Sequence, residues 1–289
     1  MMSVYSGSRV AVTGASGFIG SALCALLLEQ GATVLPVPHS KTGAVYPAIP
    51  DAEVLFHVGG GGGIAAADAD PAGDLRAHAT STLELLAAQR EGRFGRLVLL
   101  SSAAVYGRVQ GVVPEDTPAR PLAPYGVSKR AAELYVLAAV QRHGTDAVIG
   151  RLGNPYGPGQ RSLVVYDLAK RALTDGAPFR VFGAGDAVRD FLHVRDVAMA
   201  LQVVGSRAES GSITNIGSGQ PVSILELART IAVAAGLPPS AARPDGEPEP
   251  GKVNTFAPDV TRLAALGFEP CVALPDGIAE TVAWVRSTL

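Results

Sequence analysis

Tyr125 and Lys129 lie four residues apart, a spacing that puts both on one face of a helix. An ammonium beside a phenol favours the tyrosinate and lowers the tyrosine pKa, and an oxidised nicotinamide would add to that effect. A tyrosine tuned in this way can exchange a proton with a hydroxyl or carbonyl oxygen while a hydride moves to or from a dinucleotide. Taken alone, the pair is also common on helix surfaces. Ser102 gives it weight, because it stands at the end of the strand-like run Arg96–Ser101. Strand ends in an open parallel sheet meet the ligand crevice, where a hydroxyl can bond the same substrate oxygen.

Such a set needs a dinucleotide beside it, and the chain offers a place for one at its start. Thr13-Gly14-Ala15-Ser16-Gly17-Phe18-Ile19-Gly20 follows the apolar run Arg9–Val12 and opens a helix that the periodicity carries to about Gln30. Gly14 can supply a tight turn, and Gly17 can let the backbone approach a pyrophosphate. Gly20 lets the helix close on the strand, while free helical N–H groups and the macrodipole face the anion. Gly14, Ser16, Gly17, Phe18 and Ile19 are therefore candidate cofactor contacts.

Further β-rich runs fall at Ala32–Val37, Val54–Val58, Arg96–Ser101 and Ala147–Leu152, with helical patterns over Asp74–Arg90 and Pro124–Arg142 between them. In the last helix Val127, Ala131, Leu134 and Ala138 recur at three to four residues, and Gly144 stands as a stop signal. Strand–helix alternation implies an α/β chain with a Rossmann-type, doubly wound parallel sheet. After Leu152 the texture changes to short elements joined by proline-rich connectors such as Pro238-Pro239 and 243–251. The expected division is a dinucleotide-binding domain over 1–153, to which 190–216 returns, and a smaller C-terminal substrate-binding lobe over 154–289. The run Gly59–Gly63 ends a strand and reads either as a flexible loop or as close backbone approach to a nicotinamide ribose. Gly59 joins the candidate cofactor contacts on the second reading.

Composition narrows the classes. Of 289 residues 47% are hydrophobic and 17% charged, which excludes a disordered chain. A net charge of −2 supplies no basic surface for nucleic acid. The two cysteines, Cys24 and Cys271, are far apart and without Cys-x-x-Cys spacing, so neither a disulfide framework nor a zinc site is indicated. No uninterrupted apolar run approaches the roughly 20 residues of a membrane span. The first strand begins almost at the first residue, leaving no room for a signal peptide, and the expectation is a cytoplasmic protein without metal.

Several segments together resemble the extended short-chain dehydrogenase/reductase superfamily, in its NAD-dependent epimerase/dehydratase branch. They are Thr13–Gly20, Ser101–Gly107, Tyr125–Lys129, Arg151–Gly157, Arg189–Val197 and Asn215–Gly219, in that order, with Leu266-Gly267-Phe268 and Trp284 at the end. The resemblance implies Ser102 as the substrate-orienting hydroxyl, Tyr125 as acid/base, and Lys129 as its pKa-lowering and ribose-binding partner. It implies that Asn154 and Arg189 contact the diphosphate of a sugar nucleotide, and that Ala103 lies at the substrate. For Asn154 loop capping is the competing reading, and for Arg189 an ion pair with Asp190 or Asp186. His193 reads as a packed residue, and Tyr106 as one that shapes the pocket.

The chain also departs from that pattern. Relatives that prefer NAD carry an acidic residue near Pro38; here His39, Ser40 and Lys41 follow and could favour the 2′-phosphate of NADP, or make no contact at all. The stretch from His39 to Phe56 is short and holds prolines, so the sheet is expected to lack a regular third strand. His78 stands where the family often has Asn, and Glu249 where many relatives offer a second diphosphate-binding Arg. Ala103 and Ala104 replace the Asp-Glu pair of 4,6-dehydratases and cannot transfer protons, which disfavours that reaction. The expected function is NAD- or NADP-dependent epimerisation of a nucleotide-activated hexose, by a homodimer. The alternatives are an NADPH-dependent keto-sugar reductase and, from another class, a non-catalytic dinucleotide-binding regulator.

Overall fold

The computed structural model describes residues 4–40, 45–246 and 256–289. Lys41 and Glu249, both singled out above, lie outside the described residues. β1 (Arg9–Thr13), α1 (Phe18–Glu29), β2 (Thr33–Val37) and β3 (Ala52–His57) open the fold. A long helical stretch follows as α2 (Ile64–Ala69), α3 (Pro71–Leu75), a π-helical turn over Arg76–Thr80, and α4 (Ser81–Arg90). Then come β4 (Phe94–Ser102), a 3-10 turn (Ala103–Tyr106), β5 (Gly111–Val113), α5 (Pro124–His143) and β6 (Ala147–Leu152). The second half contains β7 (Asn154–Tyr156), α6 (Leu163–Thr174), β8 (Phe179–Val181), β9 (Val188–Arg189), β10 (Phe191–His193), α7 (Val194–Arg207) and β11 (Ile213–Ile216). It closes with β12 (Val222–Ser223), α8 (Ile224–Ala235), β13 (Ala242–Pro244), β14 (Phe256–Pro258), α9 (Thr261–Ala265) and α10 (Leu274–Thr288).

Six strands pair in the order β2-β1-β3-β4-β6-β11, all parallel. Alternate residues divide between two cores, as the two-residue period of a strand requires. Val10, Val12, Val98 and Leu100 pack with Leu23 and Leu27 of α1 and Val197 and Leu201 of α7. Ala11, Leu55, Leu97 and Leu99 pack with Leu85 of α4 and Val136 of α5 on the opposite face. This is a doubly wound sheet. A separate core joins α6, α8 and α10 through Leu168, Leu227, Ile231, Ile278 and Val282, with Phe179 and Val181 of β8.

Among the described residues no strand pairs with the outer side of β2. The segment after it is held differently: the Glu84 carboxylate accepts from the backbone N–H groups of Val45 and Tyr46, each at 2.9 Å. Helix α5 forms where the periodicity places it. Its residues Val127 and Leu134 are about half exposed, while Gly126, Lys129, Ala132, Glu133 and Val136 face inward. The apolar period in this helix marks its outer face.

Candidate active site

The glycine turn joins β1 to α1. Gly14 sits at φ +65°, a conformation that L side chains resist, and Gly17 N–H donates to its carbonyl at 2.9 Å. A Cβ on Gly20 would lie 1.9 Å from the Gly14 oxygen, so the helix can approach the strand only without one. Gly17 caps α1 with no side-chain hydrogen bond, which leaves the first-turn N–H groups free for an anion. Phe18 and Ile19 are half-buried, and Ser16 is exposed.

Gly59 backs onto this turn. Its N–H donates to Thr13 Oγ1 at 3.0 Å, and a Cβ on Gly14 would lie 2.6 Å from the Gly59 Cα. Gly60 would meet His78 Cε1 at 2.2 Å, and Gly61 would meet Asp74 Oδ1 at 3.2 Å. Gly59, Gly60 and Gly61 pack with little space for side chains. Their neighbours are protein groups, His78 above all.

Ser102 ends β4, and its hydroxyl accepts from Ala104 N–H at 3.2 Å, capping the 3-10 turn. Tyr125 and Lys129 occupy the inner face of the first turns of α5, where Pro124 stands at the helix start. Lys129 is buried, donates to the Leu100 carbonyl at 2.9 Å, and holds its Nζ 5.9 Å from the centre of the Tyr125 ring. Burial pulls the Lys129 pKa down to about 8 against the upward pull of Asp74 and Glu133.

The tyrosine itself departs from expectation. Burial pushes the Tyr125 phenol up; the Ser102 hydroxyl opposes this, and the Asp74 charge adds to the rise. Removing a phenolate from water costs more than this arrangement of protein groups returns.

The other candidates divide. His39 lies edge-on to Tyr46, with ring centres 6.4 Å apart, and Ser40 N–H donates to the Val45 carbonyl at 2.8 Å. Asn154 donates to the Asp190 carbonyl at 2.8 Å, as a capping role requires. Asp190 accepts from Ser218 N, Ser218 Oγ and Gly219 N. Among the described residues Arg189 has no carboxylate partner, and its buried Nε lacks a hydrogen bond. A half-buried guanidinium with an unpaired Nε suits an anionic ligand. Tyr106 corrects another expectation: it is 1% exposed, donates to Asn215 Oδ1 at 2.7 Å, and supports the fold. His193 is packed as expected, edge-on to Tyr156 and capping α7. No group of three metal-ligating side chains occurs among the described residues, nor does any helix long and apolar enough to cross a membrane.

Sequence reasoning missed two buried polar groups. Glu133 receives Ser101 Oγ at 2.6 Å, Arg130 at 2.8 Å, and Arg151 through two bonds of 2.9 Å. Asp74 is the second, 3.4 Å from His78 Nε2 and without a hydrogen bond on either oxygen. Charged residues inside a helical pattern ordinarily mark a solvated face, so neither gave a signal.

Residues 10–217 match the family model described as the NAD dependent epimerase/dehydratase family. The chain belongs to this family. Among its members, a dTDP-glucose 4,6-dehydratase from Streptomyces niveus is 37% identical over 216 residues, which cover 73% of this chain and 63% of that protein. The chain thus matches under two thirds of the length of that relative. Two solved family members match almost throughout. RMD from Pseudomonas aeruginosa, complexed with NADPH, is 30% identical with a TM-score of 0.84, over 98% of this chain and 100% of that one. The Thermus thermophilus UDP-glucose 4-epimerase, complexed with NAD, is 29% identical with a TM-score of 0.82, over 97% and 100%. In this chain Ala103 and Ala104 follow Ser102.

Proposed function

We propose that this family member transfers hydride at a secondary alcohol or ketone of a nucleotide-activated hexose, with NAD or NADP as cofactor, and that it acts as an epimerase. What supports the reading is that Ser102 ends β4, that Tyr125 and Lys129 share the start of α5 with Nζ 5.9 Å from the ring centre, and that α1 opens on a glycine turn without a side-chain cap. The cofactor fits that cradle, since Gly20 and Gly14 leave no room for side chains where strand, turn and helix close. When bound, the nicotinamide accepts and returns the hydride.

The protein residues handle the proton and the orientation. Ser102 hydrogen-bonds the reacting oxygen, Tyr125 takes or gives its proton, and Lys129 supplies positive charge beside the phenol and a donor for the ribose. Gly14, Ser16, Gly17, Phe18, Ile19 and Gly59 line the dinucleotide, with His39 and Ser40 near its adenosine end. Ala103, Asn154 and Arg189 border the sugar nucleotide, and Arg189 takes the diphosphate. The lobe formed by α6, α8 and α10 then serves as the substrate side, and the sheet with α7 and β11 as the dinucleotide side.

Reduction of a keto-sugar by NADPH is the second reading. The absence of an acidic side chain after β2 favours it, since Pro38 and His39 are exposed there and no carboxylate would repel a 2′-phosphate. Homodimerisation belongs to the same proposal. Leu75, Leu83, Val127, Leu134 and Tyr135 are exposed on α3, α4 and α5, and apolar side chains left exposed together favour protein contacts. A cytoplasmic setting is part of it too, on the two free cysteines.

Tyr125→Phe tests the reading: turnover should fall by about 10²- to 10⁴-fold, with dinucleotide affinity nearly intact. Unchanged turnover would sink the catalytic assignment of Tyr125, and dinucleotide binding without turnover in the wild type would favour the regulator. Tightly retained NAD in the purified protein supports the epimerase, and a site filled only by added NADPH the reductase.

A further inference from the structure

A π-helical turn interrupts the helix that runs from Pro71 to Arg90, and His78 lies within it. Such turns insert an extra residue and redirect the side chains around them, frequently at functional sites. Two hydroxyls hold this one: Ser81 donates to the Ala77 carbonyl and Thr82 to the His78 carbonyl, each at 2.7 Å. The redirected imidazole is buried and rests against Tyr125, with ring centres 5.4 Å apart and planes at 77°. Gly61 N–H donates to its Nε2 at 3.3 Å, and Asp74 Oδ1 lies 3.4 Å from the same nitrogen.

The glycine run makes room for that ring. A Cβ on Gly60 would stand 2.2 Å from His78 Cε1 and 2.8 Å from its Nδ1, so the imidazole holds the space that any other residue at 60 would need. The same run is tied to the dinucleotide turn, since Gly59 N–H donates to Thr13 Oγ1 at 3.0 Å. Thr13 Oγ1 lies 2.8 Å from His57 Nδ1, and His57 Nε2 lies 3.2 Å from Ser81 Oγ. Ser81 gives its only proton to the Ala77 carbonyl. His57 must therefore donate to Ser81 through Nε2 and accept from Thr13 at Nδ1. Glycine turn, His57 and π turn form one hydrogen-bonded unit, and His78 is the part of it that touches Tyr125.

We propose that His78 is a positioning residue for Tyr125: a ring wedged between the glycine run and the phenol, which sets the Tyr125 ring relative to the turn that holds the dinucleotide. An edge-to-face pair fixes orientation as well as separation, and a proton-transfer group must be held to within about 0.5 Å of its working place. The ring acts by its shape. Its Nε2 is engaged by Gly61, and its buried Nδ1 has no hydrogen bond. The proposal rests on the reading of Tyr125 as acid/base given above.

The first measurement needs no substrate. The chain has seven tyrosines, few enough to follow by NMR in full-length protein labelled with 13C-tyrosine, and the Tyr125 signal is the one lost in Tyr125→Phe. A close-packed ring flips slowly, so the Tyr125 flip rate should rise about tenfold or more in His78→Ala. An unchanged flip rate overturns the inference. The second uses UDP-glucose and NAD as probes. In His78→Ala, kcat should fall by about ten- to a hundredfold, with KM and the NAD Kd within about threefold of wild type. An unchanged kcat, or a loss confined to KM and Kd, overturns it as well. Gly60→Ala puts the same question with His78 in place: it should lower kcat in the wild type and cost little more in His78→Ala, where no ring remains to strike. Equal losses in both backgrounds overturn the wedge. Should His78→Ala fail to fold, His78→Asn takes its place in each measurement. Tyr125→Phe separates the two levels. If that variant keeps full turnover, the hydride-transfer reading of Tyr125 fails; if it is inactive while His78→Ala keeps the wild-type kcat, only the positioning role fails.

Discussion

Two buried acids face the inner surface of α5, and they are treated in opposite ways. Glu133 is surrounded by Ser101, Arg130 and Arg151, and Arg151 donates in turn to the Glu115 carbonyl at 3.0 Å and stacks on Tyr106. Hydrogen bonds from these groups hold the Glu133 carboxyl below its usual range despite its burial. Asp74 has only a histidine for a neighbour and no hydrogen bond. A network with its bonds satisfied fixes one packing of β4, α5 and β6; a carboxylate left without donors costs stability. Scaffold and chemistry thus share one helix, about one turn apart.

The largest stability effect should come from breaking the satisfied acid. Glu133→Ala leaves the Arg151 guanidinium buried without its partner and should cost about 3–5 kcal/mol, read from denaturant unfolding. Acid should act next. His57 and His78 are neutral in the fold, with pKa values lowered to about 3 and about 2, and both titrate near 6.5 once unfolded. The unfolded chain therefore binds more protons below pH 6.5, and stability falls as pH falls through that range. The limiting slope is about 1.4 kcal/mol per pH unit for each histidine. Equilibrium unfolding at pH 7 and pH 5 checks the direction, and His78→Asn should flatten the slope.

Gly60→Ala should follow, at about 1–3 kcal/mol of overpacking, with a loss of turnover as the His78 ring is pushed against Tyr125. Thermal unfolding and kcat read the two parts. Asp74→Asn should be the smallest change, at about 1 kcal/mol, because no hydrogen bond to that carboxylate is lost. A large loss there would make the two acids alike and erase the contrast.

Much of the sheet was legible in the sequence. The glycine turn, the five strands from β1 to β6 named by their apolar runs, and the missing neighbour of β2 all follow from local composition. Ser102, Tyr125 and Lys129 were legible too, because strand ends and helix spacing are local properties. What escaped was decided by tertiary packing. The period of Val127 and Leu134 is the same whether a helix faces a core or a partner, so it marks the helix without telling which face of α5 is buried. The direction of the Tyr125 shift depends on burial, which residue spacing does not contain. The π turn carries no sequence mark, and Asp74 and Glu133 read as solvated charges until the fold enclosed them.

Among the described residues no strand lies beyond β2, which makes it the rim of the sheet, and a rim offers free backbone to any extended chain that drifts against it. Its sequence, Thr33-Val34-Leu35-Pro36-Val37, would be adhesive but for Pro36, which has no N–H to offer and is tolerated in sheets mainly at such margins. A proline thus guards the edge: Pro36→Val would leave the fold in place and give that edge a tendency to collect other strands.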